Sequence, residues 1–137
     1  MILLDTNVIS EVQRPQGNGR VRSLVAARAA EMHLSVIVLG ELRFGIALLD
    51  DTPRKAALAA WADGLIAAYA DRILPVTREI AEIWGGLSAV PHMKKRPVDA
   101  PDGLIAATAI FHDLTLWTRN TKDFEGVGVR LVNPWED

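Results

Sequence analysis

Short apolar runs alternate along the chain with longer segments whose apolar positions recur every three or four residues. Ile2-Leu3-Leu4 is such a run, predicted to be a strand, and it stops at Asp5; Thr6-Asn7 can then cap a helix that carries Ser10 to Val12. After a loop over 14–19, Val21, Leu24, Val25 and Ala29 return at helical spacing. Residues 34–38 predict a second strand passing into a helix with Leu39, Leu42, Ile46 and Leu49 on one face and Glu41 in its first turns. Asp51-Thr52-Pro53 places a cap with proline just inside, ahead of a stripe of Leu58, Trp61, Leu65, Ile66 and Tyr69. A third strand over 73–76 must be short or lie at a sheet edge, because Pro75 has no donor for a ladder. Thr77 can cap the next helix, with Ile80, Ile83, Trp84 and Leu87 inward, and 90–100 is the longest linker.

The stretch that follows combines a helix, a strand and acids. Asp102 precedes Leu104, Ile105, Ala106, Ala107, Ala109, Ile110 and Phe111, a run apolar on nearly all faces and therefore a buried helix. The helix breaks at His112-Asp113, a strand is predicted over 114–118, and 119–123 is a polar loop at that strand's end. Gly126 and Gly128 make a turn before a last strand over 129–132, which ends at Asn133-Pro134-Trp135. Strands alternating with helices imply an α/β fold with a parallel sheet, right-handed crossovers and helices on both faces. Ligands of such sheets gather beyond the carboxyl ends of the strands. Asp5, Glu41 and Asp123 each follow a strand, and Asp102 opens a helix at the same edge, so four acids from distant places converge on one rim.

Composition narrows the setting. With 137 residues, half of them apolar, the chain fits one domain spanning 1–137 that buries roughly two-thirds of its unfolded surface. There is no cysteine, which excludes thiolate zinc and suits a reducing compartment. No basic leader opens the sequence and no apolar run approaches the ~18 residues of a membrane span, so a cytoplasmic protein without membrane contact is expected. A net charge of −2 excludes attachment to nucleic acid through bulk positive charge; any such binding must be local.

Four converging carboxylates need compensation. Two of them about 5 Å apart repel by roughly 3 kcal/mol at an effective dielectric near 20. Protonation, basic partners or a divalent cation each relieve this. An all-oxygen site suits Mg²⁺ or Mn²⁺, whose natural chemistry is phosphodiester hydrolysis. Taken singly, each acid also has a local explanation, as helix-dipole partner, solvated helix residue or turn former.

Ile2-Leu3-Leu4-Asp5-Thr6-Asn7, a glutamate early in the next βα helix, the run from Asp102-Gly103-Leu104-Ile105-Ala106-Ala107-Thr108-Ala109, and Leu116-Trp117-Thr118-Arg119-Asn120-Thr121-Lys122-Asp123-Phe124 together resemble a PIN-domain ribonuclease. Within that family the VapC and FitB type of toxin from prokaryotic toxin–antitoxin pairs is most similar, down to the terminal Val132-Asn133-Pro134-Trp135. The resemblance implies a three-layer α/β/α fold with a central, mostly parallel sheet. It also implies a Mg²⁺-dependent endoribonuclease, usually a homodimer, silenced by a small antitoxin. By position Asp5, Glu41, Asp102 and Asp123 match the family's acidic quartet, with Asp5 and Asp102 the foremost metal ligands. Thr6, Thr118 and Asn120 match polar positions that orient the acids or a bound water. Asp99, three residues before Asp102, is most simply an N-cap that leaves Asp102 at the third helical position, with a place in the site as the alternative.

Lys94, Lys95 and Arg96 form the only dense basic stretch and could track an RNA backbone, with Arg119 and Lys122 adding phosphate contacts; a solvated loop explains the same charges. His33, His92 and His112 have no spacing that pairs them as ligands, no serine sits in a nucleophile elbow, and no phosphate-loop glycine pattern occurs. Two rivals share the same acids: a PIN-like module that binds RNA or an antitoxin without turnover, and a metal-dependent DNase or phosphatase.

Overall fold

The computed structural model describes residues 1–89 and 98–137. Its strands are β1 (Ile2–Leu4), β2 (Met32–Ser35), β3 (Ile73–Leu74), β4 (Thr115–Trp117) and β5 (Leu131–Val132). The α-helices are α1 (Thr6–Gln13), α2 (Gly19–Ala27), α3 (Val36–Ala47), α4 (Pro53–Ala68), α5 (Arg78–Ala89) and α6 (Ala100–Phe111). Among the described residues all four strand pairings are parallel, and the sheet order is β3-β2-β1-β4-β5. From β1 the chain builds outward through β2 and β3, then returns to the other side of β1 with β4 and β5. The order therefore reverses between β1 and β4, and a crevice opens where crossovers leave to opposite faces.

The period-two alternation of the strands separates two cores. Leu3 and Leu116 face one side, packed with Val38, Ile105, Ala106, Ala109 and Phe124. Ile2, Leu4, Met32, Leu34 and Trp117 face the other, packed with Val8, Ile9, Val21 and Val25. The sheet is thus the middle of three layers, and the strands read as continuous apolar runs because both faces are covered.

Several boundaries differ from the sequence expectation. The second strand ends at Ser35, not at 38, because the Ser35 hydroxyl accepts from the Ile37 backbone N–H at 3.1 Å and starts α3 there. Val36, Ile37 and Val38 favour a strand locally, yet Val38 is fully buried in the helix, so packing outweighs propensity. The third strand keeps only two residues and lies at the sheet edge, as Pro75 requires. The last strand shortens to two residues beyond Gly126 and Gly128, both at positive φ. Thr52 caps α4 with Pro53 at its first position, and the Thr77 hydroxyl accepts from the Ile80 N–H. On α5, Ile80 is buried while Ile83, Trp84 and Leu87 stay partly exposed.

Helix α6 is held close to α5 by a glycine. A Cβ on Gly103 would lie 2.8 Å from Trp84 Cδ1 and 2.9 Å from its Nε1. Gly103→Ala is therefore expected to lower the melting temperature, overpacking by about 1–3 kcal/mol against the ~1 kcal/mol that alanine gains in helix propensity. Thermal denaturation checks this, and a variant more stable than the parent would show that the two helices have room to part. Among the described residues no helix is long and apolar enough to cross a membrane.

Candidate active site

Three of the four acids open onto one cavity of about 450 Å³ at the β1/β4 switch, lined by Asp5, Glu41 and Asp102 together with Thr6, Asn7 and Arg119. Asp5 is placed by the sheet itself. Its backbone N–H donates to the Trp117 carbonyl at 3.0 Å, one step past the β1/β4 register, and its side chain caps α1 by accepting from the Thr6 N–H at 2.8 Å. The backbone N–H of Thr118 in turn donates to the Val132 carbonyl, which fixes the residue after β4 level with Asp5. Glu41 sits in the second turn of α3, where its Oε1 accepts from the Thr6 hydroxyl at 2.6 Å. Asp102 is the third residue of α6; Asp99 is its N-cap, accepting from the Asp102 N–H at 3.1 Å. That arrangement is the one the Asp99-Ala100-Pro101-Asp102 spacing suggests. Asp99 itself is exposed and does not line the cavity.

Asp123 behaves differently. It lies exposed on a short 3₁₀ turn (Thr121–Phe124) and is not part of the cavity wall, although its charge raises the pKa of both Asp5 and Asp102. It stands at the rim, close enough to be felt there.

The polar residues form a connected frame. The fully buried Thr118 hydroxyl donates to Asp5 Oδ2 at 2.7 Å and accepts from the Asn120 backbone N–H at 3.1 Å. Asn7 Nδ2 reaches Asp5 Oδ2 at 3.3 Å and Thr118 Oγ1 at 3.4 Å, while Asn7 Oδ1 accepts from the Arg119 N–H at 3.1 Å. Thr6 and Thr118 thus each donate a hydrogen bond to an acid. Asn120 lines the cavity and contributes its backbone to Thr118.

Charge is left uncompensated. Among the described residues no lysine or arginine forms an ion pair with Asp5, Glu41, Asp102 or Asp123. Burial raises the pKa of Asp5, opposed by the bonds from Thr118, Thr6 and Asn7. Asp102 is pushed up to about 7, first by burial and then by Asp5, Asp99, Glu41 and Asp123. Among the described residues no three acids or histidines are gathered tightly enough to form a ready-made metal cage. Mg²⁺ does not need one, since it binds through one or two carboxylates and keeps several waters. An all-oxygen donor set with excess negative charge and no basic partner fits such an ion.

Sequence reasoning missed part of the wall. From the sequence Asn7 reads as a helix cap, Ser10 as a helix residue, Arg14 as a loop residue and Trp135 as the tail of the last strand, yet all four line the cavity, as does Glu11. Thr6 and Ser10 lie four residues apart on one face of α1, Arg14 follows four residues on at its C-cap, and Trp135 follows the carboxyl end of β5, so helical spacing and the strand-end rule contain those signals. Lys122 is exposed and away from the cavity wall. Lys94, Lys95 and Arg96 lie outside the described residues. His33 Nδ1 is engaged by the Glu31 carbonyl at 3.0 Å, and the His112 ring meets Phe111 edge-on, so neither belongs to the site.

Comparison with known proteins gives the same picture. Toxin FitB of Neisseria gonorrhoeae is 41% identical over 139 residues, covering 100% of both chains. VapC ribonuclease Y4jK of Sinorhizobium fredii is 36% identical over 138 residues, covering 99% of each. The crystal structure of FitAcB from Neisseria gonorrhoeae superposes with a TM-score of 0.92 at 40% identity, covering 100% of both chains. The family model described as PIN domain matches residues 2–129, so this chain belongs to the PIN-domain family.

Proposed function

We propose that the protein is a metal-dependent endoribonuclease that acts as the toxin of a toxin–antitoxin pair. One observation carries the chemistry: Asp5, Glu41 and Asp102, delivered by three separate elements, share one cavity at the sheet's switch point without a cationic partner among the described residues. A site that merely gripped a polyanion would gain nothing from such acids. Family membership, and relatives named as a toxin and a ribonuclease, support RNA as substrate and toxicity as the biological role. A small cognate antitoxin and a second copy of the chain are the partners the family resemblance implies, and the whole chain of 137 residues serves as one catalytic domain.

Asp5 and Asp102 would hold Mg²⁺, or Mn²⁺ in its place, with Glu41 and Asp123 completing the acidic shell. Bound there, the ion would polarise a phosphoryl oxygen and lower the pKa of a coordinated water. The protein's own contribution is orientation. Thr118 and Asn7 fix the Asp5 carboxylate and Thr6 fixes Glu41; Glu41 in the cavity wall and Asp123 at the rim would help orient or deprotonate the attacking water. Hydrolysis places the water oxygen on phosphorus and releases the displaced ribose oxygen as an alcohol.

The test is cleavage of labelled single-stranded RNA and the matching DNA by antitoxin-free protein, with Mg²⁺ or Mn²⁺ against EDTA. RNA cuts that require the metal and disappear in EDTA are expected. Cuts in DNA alone would make the protein a DNase. RNA binding of equal strength with and without metal, and no cuts, would make it a binding module.

A further inference from the structure

Arg119 has an unusual placement. It shares a cavity wall with Asp5, Glu11, Glu41 and Asp102, yet among the described residues its guanidinium takes no hydrogen bond or ion pair. Instead it lies over the Trp135 ring, 5.0 Å from the centroid. An arginine on an indole face keeps its N–H donors free, because the attraction comes from the ring's quadrupole and not from an acceptor.

Both partners are held from behind by Asn133, itself buried. Asn133 Nδ2 donates to the Arg119 carbonyl at 3.5 Å, and Asn133 Oδ1 accepts from the Trp135 N–H at 2.9 Å. The Asp137 carboxylate closes the turn by accepting from the Asn133 N–H at 2.7 Å. On its other side the Arg119 backbone N–H is bound to Asn7, the residue that also reaches Asp5. The Arg119 backbone is therefore fixed beside the acids, and the Trp135 ring is what holds its exposed guanidinium to one side of them.

We propose that Trp135 is a positioning residue that holds Arg119 as the binding point for a phosphate of the RNA strand next to the bond that is cut. This rests on the ribonuclease reading above. An acidic cavity repels a polyanion, and a planar cation at its wall gives the strand one bidentate phosphate contact without neutralising the acids. A collapsed Arg119 would pair with Glu11 or Glu41 instead and remove both. Trp135 also packs on the core layer that contains Leu4 and Trp117, so a structural role must be separated from this one.

The experiment measures binding of a fluorescent single-stranded RNA to full-length protein in the Asp102→Asn background, with Mg²⁺, over a salt series. Arg119→Gln is expected to lower the slope of log affinity against log salt by about 0.7, the value of one phosphate contact on a single strand. Trp135→Leu is expected to lower it equally, with the double variant no lower than either single one. Trp135→Phe, which keeps a ring face, should retain most of the slope. A purely structural Trp135 would lower the melting temperature and leave the slope at its parent value, which overturns the proposal; should Trp135→Leu not fold, a slope unchanged in Arg119→Gln overturns it alone. Background protein that binds no RNA at all would overturn this proposal as well, while the ribonuclease reading stands or falls separately on the metal-dependent cleavage by the unaltered protein.

Discussion

Asp102→Asn is expected to abolish RNA cleavage and, in chelator-treated protein at pH 8, to raise the melting temperature. The loss of activity should exceed the roughly 10–100-fold typical of residues that only support a metal ligand. The stability gain follows from the proton. In the folded protein Asp102 keeps its proton up to about pH 7, whereas in the unfolded chain it gives it up near pH 4. Between those values the folded state binds the extra proton, so stability falls as pH rises and the full penalty is present above pH 7. Below pH 4 both states are protonated and the penalty vanishes. Solvent reaches the side chain, which reduces the penalty to about 1–2 kcal/mol. Asparagine keeps the shape and never ionises, so the gain should be about 3–8 °C at pH 8 and near zero at pH 4. Calorimetry at the two pH values decides it: a variant less stable at both would assign Asp102 a structural role.

Thr118→Val should be the most damaging change among residues that carry no charge. Valine fills the same space but has no hydroxyl, which serves three groups at once: Asp5, Asn7 and Asn120. Its removal leaves the Asn120 N–H and one Asp5 lone pair short of a partner, at a cost of about 1–3 kcal/mol. Thr118 is also the strongest influence holding the Asp5 pKa down against burial. Its loss should move the acid limb of the cleavage profile to higher pH, and Thr118→Ser should move it back. A Thr118→Val enzyme with the parent's pH profile would mean that Asp5 is tuned by other groups.

The sequence was informative wherever a signal was local or periodic. The apolar strand that ends at Asp5, the Thr52-Pro53 helix start and the Asp99 cap are all set by neighbours a few residues apart, and each was readable. The parallel sheet followed from alternation of strands and helices, and with it the rim on which Asp5, Glu41 and Asp102 meet. Where packing decided, the reading failed: three β-branched residues after Ser35 entered a helix because α3 buries Val38 against the sheet. Long-range polar bonds were likewise invisible. Nothing near Asn7 announces that it will bridge Asp5, Thr118 and the backbone of Arg119, and the exposed turn that moves Asp123 off the cavity wall depends on how Phe124 anchors in the core.

The bond between Asp5 and Thr118 joins residues 113 positions apart in sequence. Among the described residues no strand pair is a hairpin, so none of these pairs closes early and locally. A growing chain therefore carries Asp5 and Glu41 well before β4, the hydroxyl that orients Asp5 and the arginine beside it have been made. The N-terminal acids alone cannot make the site: it takes its final shape only when the last-made side of the sheet docks on the first.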